Sequence, residues 1–374
     1  MQIESLPFWM YILGFLAMLG PLVVLHELGH YLVGRFFGVG AEAFSVGFGK
    51  ELAGYTDKRG TRWKLSALPF GGYVQFKGDM NPASMPDPDK PVESDHFQHA
   101  KLWQRALIVA AGPAMNFLVA IAIFAAFFLF IGRPLAVDPD EQNYIASFSE
   151  DSAAEDAGLQ VDDRIVALDG VELQDFMQLQ EAVRVYPSRT FQVTFERDGE
   201  RQTVPVTSRP YEFEDQFGNR GTIGVLGING RPAEMRFENV GPIEATGLAF
   251  DHTGKMLRLM VLGIKQIVSG ERSVQELGGP ITIAKVSGER MSMGWLQFAE
   301  FAALISINLA FINLLPIPAL DGGHLAFYAV EAVRRKPASP RSQELAFRAG
   351  IAVVLALMVF VTLIDIAKLP IFGG

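Results

Sequence analysis

The run His26-Glu27-Leu28-Gly29-His30 sets two imidazoles four residues apart with a carboxylate beside the first. On a helix, residues i and i+4 share a face, so both rings reach toward one point. This HExxH pattern on a helix is the arrangement in which two histidines hold zinc and the glutamate acts as general base in peptide hydrolysis. The chain has no cysteine and only six histidines, so any metal must be held by His, Asp or Glu. The bland alternative is a pair of satisfied polar residues at a helix end. It weakens with depth, because ionisable groups following an unbroken apolar run are costly unless they coordinate something or line a pathway.

Two histidines leave a catalytic zinc one protein ligand short, since such sites keep three protein ligands and an open fourth position. The best candidate is Asp321, in Asn313-Leu314-Leu315-Pro316-Ile317-Pro318-Ala319-Leu320-Asp321-Gly322-Gly323-His324. Two prolines there must break a helix, and two glycines permit close backbone approach. Asp321 read by itself is also compatible with a helix cap or a turn residue, and His324 is a second candidate for the third ligand. Two His and one carboxylate also suit iron, but the absence of a redox cofactor signature favours hydrolysis.

The elements that must position these residues are membrane spans. The 374 residues are 49% hydrophobic, with a mean hydropathy of +0.22, above the range of ordinary soluble proteins. Apolar runs long enough to cross a bilayer occur near 7–25, 106–131, 297–317 and 347–366. The first lacks a preceding Lys or Arg and a small-residue cleavage pattern, so it reads as a span and not as a cleaved leader. Arg35, Lys101 and Arg105 flank spans one and two, and Arg334, Arg335, Lys336, Arg341 and Arg348 lie between spans three and four. Positive charge collects on cytoplasmic loops, so both termini and the long segment 133–295, with 16 Lys and Arg against 26 Asp and Glu, are expected outside. A net charge of −9 with no basic face excludes nucleic acid as a partner.

The fold class expected is a polytopic α-helical membrane protein of four transmembrane helices with an inserted extracytoplasmic α+β domain. Its parts are a membrane segment 1–132, with span one about 7–34, a β-loop about 44–78 and span two about 106–131; a domain 133–210; an amphipathic connecting region 211–295; and a second membrane segment 296–374. In the inserted domain, alternating strands are expected at 144–148, 164–168, 190–196 and 202–207, with Asp169-Gly170 and Asp198-Gly199 as turns and a helix near 174–185. The run Ser152-Ala153-Ala154, Ala157-Gly158-Leu159 and Asp162-Asp163-Arg164-Ile165 resembles the signature of bacterial PDZ domains. PDZ folds capture peptide ends by strand addition, but no carboxylate-binding loop is evident here, so peptide binding and a size-filter or spacer role both stay open. Residues 244–268 have the pattern of an amphipathic helix lying on a membrane or domain surface.

HExxH in span one and Asn-x-x-Pro-x-Pro-x-Leu-Asp-Gly in a late span, with the PDZ-like segment between, resemble the site-2 protease family of intramembrane zinc metalloproteases, on the branch of the bacterial regulator-of-sigma-E proteases. Gly112-Pro113-Ala114-Met115-Asn116, Gly278-Gly279-Pro280-Ile281, Gly47-Phe48-Gly49 and Leu68-Pro69-Phe70-Gly71-Gly72-Tyr73-Val74 strengthen the match, which covers almost the whole chain. The resemblance implies Zn2+ on His26, His30 and Asp321, Glu27 as general base, and Asn313, Pro316 and Pro318 as residues that seat the substrate. It also implies a membrane-associated β-loop, here with Gly72, Tyr73 and Val74, that could pair with an unwound substrate; an ordinary cytoplasmic hairpin is the simpler alternative. The implied substrates are single-span membrane proteins, such as an anti-sigma factor already shortened by another protease, or leftover signal peptides. The implied place is the bacterial inner membrane, with the PDZ-like domain periplasmic and the active site toward the cytoplasm. Close relatives often carry two PDZ domains, whereas there is room here for one.

Two other classes compete. A PDZ-bearing scaffold with structural zinc would have no need of Glu27, and a metal transporter would be expected to carry internal repeats with paired broken helices, of which the sequence has no sign. Asp365, near the end of span four, reads equally as an interfacial acid or a functional one.

Overall fold

The computed structural model describes residues 6–78, 94–136, 143–214, 220–231, 235–270, 273–274 and 277–368. Among these, four helices are long and apolar enough to cross a membrane: α1 (Phe8–Phe36), α2 (Leu102–Phe130), α7 (Trp295–Leu314) and Arg341–Ala367 within α9 (Pro340–Ala367). Large apolar side chains along them, such as Leu13, Phe130, Val353, Leu357 and Leu363, are exposed, as residues facing lipid tails should be. Span three ends at Leu314, earlier than its apolar run, because Leu315 is extended (φ −62°, ψ 140°) ahead of Pro316.

The chain divides into two compact units. One comprises, of the described residues, those within 126–245 and 262–266. Its centre is an antiparallel sheet with strand order β6 (Val171–Glu172), β5 (Arg164–Leu168), β7 (Thr190–Arg197) and β8 (Glu200–Thr207). Asp169-Gly170 and Asp198-Gly199 both take positive φ, the conformation that tight hairpin turns demand. After the short helix α3 (Ala153–Asp156), helix α4 (Phe176–Arg184) buries Phe176, Leu179 and Val183 against Ile165, Phe191, Val193 and Phe195 of the sheet. Strands continue past residue 210: β9 (Arg209–Glu214) pairs with β10 (Arg220–Val225), β11 (Ile228–Gly230) pairs with β4 (Ile145–Phe148), and β12 (Met235–Glu238) pairs with β3 (Arg133–Ala136). These returning strands lie in what the sequence suggests is a mere connector. Their pairing partners are 80 or more residues away in two of the three cases, beyond what local alternation reveals.

The second unit, 6–125, 246–261 and 267–368 of the described residues, holds the spans and a bent hairpin. Strands β1 (Ala41–Thr56) and β2 (Arg62–Phe76) fold so that residues 43–46 lie between 62–65 on one side and 72–75 on the other. Gly47, Gly49 and Gly71, all at positive φ, make the bends. The hairpin is seated on α1 and α2 through Phe44, Phe76, Tyr31 and Ile108, with the Phe76 ring filling the space over Gly34.

Helix α6 (Pro280–Met293), which the apolar pattern does not suggest, crosses α1 so closely that a Cβ on Gly14 would lie 2.8 Å from Gly288 N. Such small-residue crossings drive helix association in lipid. The buried Asp365 of α9 accepts backbone N–H bonds from Gly279, Ile281 and Thr282 at the start of α6. Its role is therefore a helix cap inside the membrane part. Helix α5 (Pro242–Ser269) spans the amphipathic stretch expected from 244–268.

Candidate metal centre

His26 and His30 stand one turn apart near the C-terminal end of α1, both 8% exposed. Asp321 opens helix α8 (Asp321–Arg334), after the Pro316-Ile317-Pro318 segment has turned the chain back. That turn needs an unusual backbone: Ala319 sits at φ 87°, and a Cβ on Gly322 would come 2.5 Å from the carbonyl carbon of Leu314. The result is that Asp321 Oδ2 lies 3.2 Å from His26 Nε2 and 3.5 Å from His30 Nε2, while the two ring nitrogens are 3.3 Å apart. His324, one turn along α8, is not part of this three-residue cluster.

The chemistry of this donor set fits a cation. His30 Nδ1 donates to the carbonyl of Ile108 at 2.8 Å, which leaves Nε2 as a lone pair. Asn116, wholly buried on α2, approaches His26 Nδ1 to 3.3 Å through its amide, whose Oδ1 is otherwise without a partner. Turning that amide makes Oδ1 the acceptor for a proton on Nδ1 and leaves His26 Nε2 as a second lone pair. Asp321 Oδ2 is a buried oxygen with no hydrogen bond. Three electron pairs thus converge where only a positive charge makes them compatible. A point equidistant from the three atoms lies about 1.9 Å from each, close to zinc bond lengths of roughly 2.0–2.2 Å.

Residues of α2 build the back wall. A Cβ on Gly112 would lie 2.9 Å from His26 Cε1, and one on Gly29 would lie 2.9 Å from the Ala111 carbonyl carbon, so glycines at both positions let the helices and rings meet. Ser306 of α7 donates to the Asn116 carbonyl at 2.8 Å, fixing the segment from a third span. The sequence singles out Gly112 to Asn116 without assigning it a task. A buried amide within an apolar run was the available signal.

Glu27, next to His26 in the chain, has its Oε2 accepting the backbone N–H of Val74 at 3.0 Å. Gly72 lies against the stem of Glu27, a Cβ there being 3.7 Å from Glu27 Cγ. Tyr73 stacks on Phe48, with ring centroids 6.0 Å apart. Of the residues expected to seat a substrate, Gly72 and Val74 are brought beside Glu27. Asn313 lies in the last turn of α7, and Pro316 is exposed on the segment leading to Asp321. Pro318 packs against Gly350 of α9, where no Cβ would fit.

A model of peptidase family M50 matches residues 14–357, which include every residue of this centre. The chain belongs to peptidase family M50. This M50 peptidase is 42% identical to a protein of Agrobacterium fabrum, over 96% of each chain, and 44% identical to one of Rhizobium meliloti, over 94% of this chain and 95% of that one. Both are provisionally named zinc metalloproteases. It is 31% identical to the metalloprotease MmpA of Caulobacter vibrioides, over 98% of this chain and 97% of that protein. The M50 peptidase is thus a membrane-embedded zinc metallopeptidase of the site-2 protease family. Zinc is its metal.

Proposed function

We propose that this peptidase hydrolyses peptide bonds of single-span membrane proteins, or of leftover signal peptides, within the bilayer. The observation that carries this reading is the convergence of His26 and His30, near the end of span one, with Asp321 at the start of α8, while Glu27 bonds to the strand at 72–76. His26, His30 and Asp321 would hold the zinc. When bound, zinc supplies a Lewis acid and makes water more acidic. The Glu27 carboxylate takes the proton of the attacking water and delivers it to the leaving amine nitrogen. Residues 72–74 hold the substrate extended by strand addition, because a helical substrate hides its carbonyls in i to i−4 bonds. Asn313 and Pro316 line the other side of the approach, and Pro318 keeps that wall in place.

In the reading we favour, the protein lies in a bacterial inner membrane with the hairpin and the α8 segment toward the cytoplasm and 133–240 in the periplasm. The clustering of Arg334, Arg335, Lys336 and Arg341 between spans three and four supports this orientation. The periplasmic domain is PDZ-like, and its four-stranded sheet with α4 packed on it supports that reading. At Gly224 strand β10 lies directly against the Val183 and Tyr186 carbonyls at the end of α4, without room for a Cβ. That closure favours a spacer or size filter over peptide capture there. An anti-sigma factor trimmed by a prior cleavage is the kind of substrate such a filter would admit.

The deciding experiment is cleavage of a tagged single-span protein by the purified enzyme, alongside its zinc content. Glu27→Gln should keep zinc and lose cleavage by about 10²–10⁴-fold, whereas His26→Ala should lose both. Wild type that holds zinc and cuts no span would refute the substrate assignment.

A further inference from the structure

Lys77, just past the end of β2, donates its N–H to the Gly40 carbonyl, and in phase with it residues 73 and 75 of β2 face the partner strand. With the two-residue period of a strand, the N–H and C=O groups of 72 and 74 point to the opposite, free edge. The edge donor of Val74 is not free, because Glu27 Oε2 occupies it at 3.0 Å. The stem of Glu27 also runs beside Gly72, where a Cβ would lie 3.7 Å from Glu27 Cγ.

We propose that the Val74 backbone N–H is contested between Glu27 and the substrate, so that the base is released for proton transfer only when an extended substrate carbonyl takes that N–H. This rests on the reading that substrates bind by strand addition. A bond from N–H to a carboxylate is stronger than one to a neutral carbonyl, so a lone carbonyl does not displace Glu27. A strand that pairs at both 72 and 74 brings several bonds at once and does. A helical segment brings none, since its carbonyls are already engaged. Release of the base thereby reports that the substrate has been unwound, and the Val74 N–H becomes a group that determines specificity.

The test uses the zinc-loaded full chain in detergent, with the Val74 amide replaced by an ester through the α-hydroxy analogue of valine. Two peptides are compared: one of nine residues that can pair along 72–74, and a blocked dipeptide too short to pair. For the nonapeptide the ester should raise KM by about tenfold, as one lost hydrogen bond would. For the dipeptide it should raise kcat several-fold, because the base is no longer held. Equal effects on both peptides, or no gain for the dipeptide, would overturn the proposal. Hydrogen exchange gives a readout without turnover. The Val74 amide should exchange at least about tenfold faster in Glu27→Ala and be protected again by excess nonapeptide. Unchanged exchange in Glu27→Ala overturns the contest. If wild type cuts neither peptide nor any single-span protein, the substrate reading fails by itself, and the exchange result still decides the role of Val74.

Discussion

Asp365, near the C-terminal end of the fourth span, accepts from the hydroxyl of Thr282 at 2.6 Å and from the backbone N–H of Gly279 at 3.0 Å. One carboxylate thus satisfies the orphan donors at the start of α6, the helix that packs against α1 through Gly288. The element bearing both histidines is braced by a chain of contacts that begins on a different span.

Replacing Asp365 with Ala should therefore destabilise the membrane part by about 2–4 kcal/mol, since several buried N–H groups lose a charged acceptor. Asp365→Asn, which keeps one acceptor oxygen, should fall between. Unfolding in mixed detergent micelles, followed by tryptophan fluorescence, measures the loss. A wild-type midpoint for Asp365→Ala would contradict the capping role.

Asn116→Leu should weaken zinc binding about 10–100-fold while the spans stay folded, the usual cost of removing an outer partner of a ligating histidine. Chelator competition followed by metal analysis gives the affinity. Asn116→Asp, which retains an acceptor for His26 Nδ1, should stay nearer wild type.

Gly112→Ala should abolish zinc retention, with an effect above the roughly 100-fold ceiling typical of outer partners, because its methyl would collide with both imidazoles. Gly263→Ala, on a helix face with open space, serves as the control and should be neutral. Zinc content per chain after gel filtration separates the two.

Arg105 of α2 donates to Glu331 of α8 at 2.8 Å, and its guanidinium lies over the Tyr328 ring at 5.0 Å. These contacts tie the helix that begins with Asp321 to the span that backs the histidines. Both side chains are about four-fifths buried, so Arg105→Glu should cost about 1–3 kcal/mol and lower zinc affinity. Combining it with Glu331→Arg should restore much of both. If the double variant is as weak as the sum of the singles, the pair has no coupling role.

The sequence by itself determined how His26, Glu27 and His30 stand to one another, because helical periodicity alone sets both imidazoles on one face with the carboxylate beside the first. It also determined the four spans, since an apolar run of bilayer length has few other uses, and the Asp-Gly turns, whose positive φ is a local preference. Strands β11 and β12 were not legible, because each gains its hydrogen bonds from a partner 80 or more residues away in the chain. Only the tertiary structure decided that Asp321 and not His324 completes the triangle, since one helical turn separates them and the direction of α8 is set by Ala319, Gly322 and Gly323. The same holds for Asp365, whose acidity within a span was visible but whose partners lie 83 to 86 residues away. Contacts of that range depend on how spans cross, and crossing is fixed by where Gly14, Gly29, Gly112 and Gly288 let backbones meet.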